Sequence, residues 1–311
     1  MIKNSANTLL NQTLKKIQGA YAPATIRAFK SDLENFIIYC NEQNQSALPS
    51  NPSTVANFID HLASQKLSSS YIRRIVASIS TIHKLNRLID PTLDPDVKIA
   101  MKKMHRTIGR FQHQAEPINK DILLQMIKVA DDSLMGDRDR LLLSLAYDTL
   151  CRRSELVSLR IEDIYLSNSH WPNETERNKI FLRVSKTDQE KQGRWLYLNP
   201  MTVNYIKIWL KKSELKSGAL LRGTRKGNGM TNQLNPGQIN RIYKRLAKLA
   251  HIDHEIIQHI SGHSIRIGAA QDLMRYGATL PHIMVKGHWR KQDTVMRYIE
   301  NVKIDEKRFY E

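Results

Sequence analysis

The chain is short of cysteine: Cys40 and Cys151 are the only two in 311 residues, far apart and in no metal-ligand spacing. A disulfide framework is not expected, and a reducing compartment fits. Long apolar runs are missing too. Residues 1–7 lead into polar sequence without the apolar core of a secretory signal. No segment reaches the roughly 20 apolar residues that a membrane span needs. Together these absences point to a cytoplasmic location with no membrane partner. The chain has no glycine-rich phosphate loop, so ATP use is not indicated. It shows no internal repeat.

Acidic residues are also scarce relative to basic ones. Lysine and arginine total 48 against 30 acids, a net charge of +18, with a pI near 9.9. In a folded chain that excess favours a polyanionic partner, nucleic acid first. A basic membrane-surface protein would carry a strongly apolar, basic amphipathic helix, and none stands out. Hydrophobic residues make up 41%, enough for real cores, and the length suits two domains.

The first third reads as helices. Residues 25–44 place Ile26, Phe29, Leu33, Phe36 and Ile37 on one face. Pro52 opens a second helix with Val55, Phe58, Ile59 and Leu62 as its stripe. Ser68 to Ser70 cap a third helix, expected from Tyr71 towards Leu88, and a fourth carries Val97, Ala100 and Met104. The periodicity fails over residues 106–117, bracketed by Gly109 and Pro117, which reads as a linker. The expected division is therefore a helical domain over 1–105, a linker over 106–117 and a second domain over 118–311. The second domain begins with helices over 120–130 and 137–150. Two strands are expected at 179–185 and 194–198, followed by helices to the end.

Four clusters in that second domain carry chemistry. They are Leu150 to Leu156 (LCRRSEL), His263-Ser264-Ile265-Arg266, His288-Trp289 and Tyr298. Arginine binds anionic oxygens, imidazole and indole donate hydrogen bonds, and a phenol can become a covalent nucleophile. This set suits attack on a phosphodiester, with fixed positive charge in place of a metal. His251, His254, His259 and His263 are close in sequence but lack a known zinc pattern. No metal and no other cofactor is expected.

In order and spacing, including the nine-residue step from Trp289 to Tyr298, the clusters resemble the motifs of the tyrosine recombinases, or phage integrases. The resemblance covers nearly the whole chain. It implies a mainly α fold, with an N-terminal helical core-binding domain and a C-terminal α+β catalytic domain holding a small antiparallel sheet. It implies a site-specific recombinase that works through a 3′-phosphotyrosyl intermediate and a Holliday junction. Its partner would be double-stranded DNA with inverted-repeat sites, bound by a homotetramer whose tail (residues 305–311) docks on a neighbouring subunit.

The resemblance also implies roles. Arg152 and Arg266 hold the non-bridging oxygens of the scissile phosphate; guanidinium suits this because it stays charged and planar. Spacing alone leaves Arg152 and Arg153 open, and the family pattern selects Arg152, with Arg153 at a usually apolar position. Tyr298 is the nucleophile, and Tyr310 is a rival phenol beyond the motif. A free phenol has pKa ~10, so nearby cations must help form the phenolate. His263 bonds the phosphate and manages the tyrosine proton. Trp289 donates its indole N–H where most relatives use histidine, with His288 as the neighbouring competitor. A loop lysine protonates the leaving oxygen, either Lys186 or, further along, Lys191. Glu155 supports the site.

For DNA recognition, the helix from Pro236 corresponds to a family helix that enters the major groove. Gln238, Asn240 and Arg241 suit base edges and Lys244 suits phosphates. Arg73 and Arg74, with Lys30 and Lys84, are further candidates in the first domain, and the two basic domains could clamp a duplex. Other outcomes of the same sequence are a topoisomerase or telomere resolvase with the same chemistry, or a DNA-binding protein with a dead site.

Overall fold

The computed structural model describes residues 2–110, 114–167, 177–183, 192–224, 229–300 and 302. The chain divides into two compact units, residues 1–113 and 114–311.

The first unit contains α1 (Ile2–Lys16), α2 (Pro23–Glu42), α3 (Pro52–Ser64), α4 (Ser69–Leu85) and α5 (Pro95–Ile108). The stripes expected of α2 to α5 all face one core, where Leu33, Phe36, Ile59, Ile72 and Ile79 are fully buried. Proline opens α2, α3 and α5, where its missing N–H costs nothing. Ser68 caps α4, its hydroxyl accepting from the Tyr71 N–H at 3.3 Å. Two differences from expectation matter most in this unit. Helix α5 runs on through Arg106 and stops at Gly109, whose φ of 82° suits glycine. Helix α1 was not expected at all. Its Ala6, Leu10 and Leu14, with Ile17 just beyond it, do form a buried stripe, but asparagine and threonine fill the intervening positions and mask it.

The second unit is built from α6 (Lys120–Lys128), α7 (Leu134–Thr149), α8 (Arg153–Ser158), β1 (Ile164–Tyr165), β2 (Lys179–Leu182), β3 (Arg194–Tyr197), α9 (Pro200–Ser213) and α10 (Pro236–Leu249). Helices α11 (His254–His259), α12 (Ser264–Arg275), α13 (Leu280–Gly287) and α14 (Gln292–Ile299) complete it. The strands form one antiparallel sheet in the order β1-β2-β3, with Ile164 opposite Ile180 and Ile180 opposite Leu196. Ile180, Leu182 and Leu196 point into the main core with Trp209 and Tyr243. A separate, smaller core gathers Leu150, Ala269, Ala270, Ile283, Trp289, Val295 and Ile299. It is this second core that positions the candidate chemistry. Among the described residues no helix is long and apolar enough to cross a membrane.

Candidate active site

Helix α7 ends at Leu150, which takes a left-handed conformation with φ 52°. The turn points the Leu150 carbonyl at α12, where Arg266 Nη1 donates to it. Nη2 of the same guanidinium donates to the Gly287 carbonyl at 2.6 Å. Its carbon sits 4.1 Å from the centroid of the Trp289 ring, a cation–π contact. Arg266 is thus fixed on three sides and only 3% exposed. Burial first, then the nearby charge of Arg152, pulls its pKa down to about 10. It remains a cation at neutral pH, and an unfavourably placed one.

Arg266 reaches this position because α12 is itself buried from Ser264 to Asp272. Gly268 allows the approach: a Cβ there would come within 2.0 Å of the Ile118 carbonyl oxygen. Gly287 does the same for the indole, since a Cβ would lie 1.7 Å from Trp289 Cζ3. The Trp289 ring meets Tyr298 edge-on, centroids 5.8 Å apart at 67°. Tyr298 is half-buried on α14, whose Val295 and Ile299 anchor it in the small core. Gln271 Nε2 donates to the Tyr298 carbonyl at 2.9 Å.

Arg152 is the N-cap of α8. Its N–H donates to Glu155 Oε2 at 2.8 Å, and its Nη1 donates to Oε1 at 2.9 Å. Glu155, 2% exposed, therefore aims the arginine while capping the helix. A second cation, Arg194 at the start of β3, lies 3.7 Å from Glu155 Oε2. Nothing local in the sequence marks Arg194: strand pairing brings it there.

His263 caps α12 and is open to solvent. Crowding of its imidazole by protein, then the charges of Arg266, Arg153 and Arg152, hold its pKa below the usual range, with Glu155 opposing. His288 sits at φ 53° after α13 and is half-buried. Burial, then Arg194 and Arg266, push its pKa down to about 4. It lines a cleft of about 620 Å³ with Gln192, Arg194, Met284 and Trp289. Cys151 is buried, and burial raises its thiol to about 11, so it is no nucleophile at neutral pH.

The fold thus gathers Arg152, Glu155, His263, Arg266, Trp289 and Tyr298 from four separate stretches of chain. Lys186 and Lys191 lie outside the described residues, as do Tyr310 and the tail. Among the described residues no three histidine, cysteine, aspartate or glutamate side chains group as metal ligands. On α10, Gln238 and Arg241 are exposed. Asn240 Oδ1 accepts from Arg153 Nη1 at 3.2 Å, and Lys244 Nζ donates to the Gln258 carbonyl at 2.8 Å. In the first unit Arg73 is exposed, whereas Arg74 lies 2.7 Å from the buried Asp32 carboxylate. Lys84 lies 3.0 Å from Asp90, and Lys30 lies 3.8 Å from Glu34.

Comparison with known proteins identifies the family. Residues 117–303 match the phage integrase family, and residues 12–87 match the phage integrase N-terminal SAM-like domain. The chain therefore belongs to the phage integrase family, the tyrosine recombinases, and is by that membership a site-specific DNA recombinase. It is 27% identical over 297 residues to an integrase/recombinase XerD homologue of Selenomonas ruminantium, covering 92% of this chain and 84% of that one. It is 23% identical over 302 residues to the recombinase Cre of Escherichia phage P1, covering 91% and 85%. Of these two, the XerD homologue matches at the higher identity. In fold, the chain is similar to the XerH site-specific recombinase bound to a palindromic difH substrate, with TM-score 0.68, 18% identity and coverage of 96% and 82%. A lambda integrase dimer bound to a COC′ core site gives TM-score 0.62 at 12% identity, covering 96% and 79%.

Proposed function

We propose that the protein cleaves and rejoins DNA through a 3′-phosphotyrosyl bond, exchanging strands through a Holliday junction. The observation that carries this reading is Arg266: buried, in no ion pair with a carboxylate among the described residues, stacked on Trp289 and so held beside Tyr298. Burying a cation in that way is costly unless an anion arrives.

In the proposed step Tyr298 Oη attacks the scissile phosphorus. The P–O(tyrosine) bond forms and the bond to the 5′-oxygen breaks. Arg152 and Arg266 hold the non-bridging oxygens, where negative charge builds in the transition state. The Trp289 N–H and His263 donate to the phosphate, and His263 manages the proton that Tyr298 gives up. Lys186, with Lys191 as its alternative, protonates the departing 5′-oxygen. One ester replaces another, so the bond energy is retained and rejoining needs no ATP. The fixed cations supply charge that a metal would otherwise bring. Glu155 keeps Arg152 aimed.

Residues of both units are proposed to bind the duplex, with the region before residue 106 as the core-binding domain and that after 117 as the catalytic domain. Gln238 and Arg241 read bases from α10. The substrate is a pair of inverted-repeat sites, held by a homotetramer in the cytoplasm.

The test is a duplex selected from a random pool by binding and then nicked in its spacer, so that cleavage releases a short strand and traps the enzyme. A protein–DNA adduct is expected that withstands denaturation, and it is lost with Tyr298→Phe. An adduct that persists in that variant overturns the nucleophile assignment. No adduct with the unaltered protein overturns the reaction.

A further inference from the structure

Arg153 stands at a position that the family pattern usually fills with an apolar side chain, yet it does not turn away into solvent. Its stem packs on Gly262: a Cβ there would lie 1.9 Å from Arg153 Cδ and 2.5 Å from Cγ and Nε. Its Nη1 donates to Asn240 Oδ1 at 3.2 Å. The guanidinium is thereby clamped between α8, α10 and the turn that presents His263, and it is half-buried. Its charge is felt at His263 and at the buried Tyr243.

Its pairing is unusual. Neighbouring cations end on acids: Arg152 and Arg194 on Glu155, Arg245 on Asp139. Among the described residues Arg153, like Arg266, has no carboxylate partner. One of its five N–H donors goes to a neutral amide, which orients a fork without neutralising it. A fixed, half-buried, uncompensated guanidinium beside His263 is built for an anion.

We propose that Arg153 is a further DNA-contacting residue, a clamp on a backbone phosphate next to the reacting one, and that Asn240 is its positioning residue. This rests on the proposed function, because the anion is taken to be DNA. It also changes the part expected of Asn240: an amide oxygen engaged by Arg153 is not available to read a base.

The test is salt-dependent binding of a mixed-sequence duplex, since a phosphate contact needs no target sequence. Arg153→Leu keeps the apolar stem over Gly262 and removes the fork. It is expected to weaken binding and to lower the log–log salt slope by about one. Arg153→Lys keeps the charge and most of the slope. Asn240→Asp pairs the guanidinium internally, so it too lowers the slope, and it leaves sequence preference on a randomised pool unchanged. A folded Arg153→Leu protein with the full slope, judged by an unaltered melting temperature, overturns the proposal and leaves Arg153 as packing. A sequence preference that shifts with Asn240→Asp overturns the positioning role. A flat salt response of the unaltered protein is a different failure: it sinks DNA binding itself.

Discussion

The first unit's paired cations and the second unit's Arg266 hold positive charge in opposite ways. In the first, cations end on acids: Arg74 on Asp32, Lys84 on Asp90 and Lys103 on Asp60, at 2.7–3.0 Å. Asp32 is fully buried, and its Oδ2 also accepts from Ser78 Oγ at 2.7 Å, so the acid is tied within the fold. In the second, Arg266 is just as inaccessible and is held by two carbonyls and an indole face. Carbonyls orient a guanidinium without cancelling its charge. Arg152, Arg153 and Arg266 all reach the same imidazole, that of His263, and each disfavours its protonation. These first-unit cations are closed on acids of their own unit. Arg266 has no ion pair to a carboxylate among the described residues, an arrangement that suits a phosphoryl-transfer site.

The largest effect should come from removing the most deeply held of these cations. Arg266→Ala is expected to slow single-turnover adduct formation by about 10²–10³-fold, the usual loss for one preorganised donor to a transition-state oxyanion. The contrast between the units adds a second readout. Inorganic sulfate should raise the melting temperature of the unaltered protein, because it occupies the phosphate position, and should do so much less in Arg266→Ala. Equal sulfate stabilisation of both proteins would show that the uncompensated charge at this site is not what binds the anion.

How far this contrast could be read in advance depended on range. The stripes of α2 to α5 were legible because each is a local 3.6-residue pattern that buries one face. Helix α1 was not, since Ala6, Leu10 and Leu14 are diluted by polar neighbours and gain their meaning only by packing on α2 and α4. The two-residue strand β1 carries no period to detect. In the site, Arg152, His263, Arg266, Trp289 and Tyr298 announced themselves as motifs. Arg194 and the clamp between Arg153 and Asn240 did not, because each joins residues that are neighbours only after folding. The same limit applies to the cations on the first unit: Arg73 and Arg74 look alike in sequence, and only the fold gives one of them a buried acid.

Acid titration sharpens the comparison next, through one histidine in each unit. His83 is buried in the first unit, its Nε2 accepting from the Ser50 N–H at 3.1 Å and its Nδ1 donating to the Ile79 carbonyl at 2.8 Å. Burial alone lowers its pKa, and Asp90 opposes the shift. His288 is lowered to about 4 by burial and then by Arg194 and Arg266. For a histidine depressed from an unfolded value of about 6.5, stability is fully present above that pH and is lost as pH falls through the folded value. The window for His288 is therefore about pH 6.5 down to about 4. His288→Gly, which also suits the left-handed backbone, is expected to remove on the order of 1–3 kcal/mol of that acid loss. Melting profiles against pH would show it. Bound duplex should shrink the loss from His288, because phosphate offsets the arginines, and leave that from His83 in place. Identical profiles for His288→Gly and the unaltered protein would remove His288 from the charged cluster.

The smallest expected effect separates two adjacent arginines. Arg73 is exposed, and Arg74 is spent on Asp32 while stacking on Tyr71 at 5.1 Å. Arg73→Ala is expected to lower the salt slope of duplex binding by about one and to leave melting unchanged. Arg74→Ala should do the reverse: a full salt slope, with about 1 kcal/mol lost in stability because Asp32 is left with Ser78 alone. That loss is modest because half of Arg74 already faces water. It should also fade on acidification. Burial raises the Asp32 pKa in the fold, so the protonated acid is favoured there and needs no cation once the pH approaches the carboxylate range. Should Arg74→Ala lower the salt slope as Arg73→Ala does, the first unit would be open to DNA at the very pair that appears internally balanced. The contrast between paired and unpaired cations would then fail for this side chain, with Asp32 acting on Arg74 as Glu155 acts on Arg152, aiming a cation that still meets phosphate.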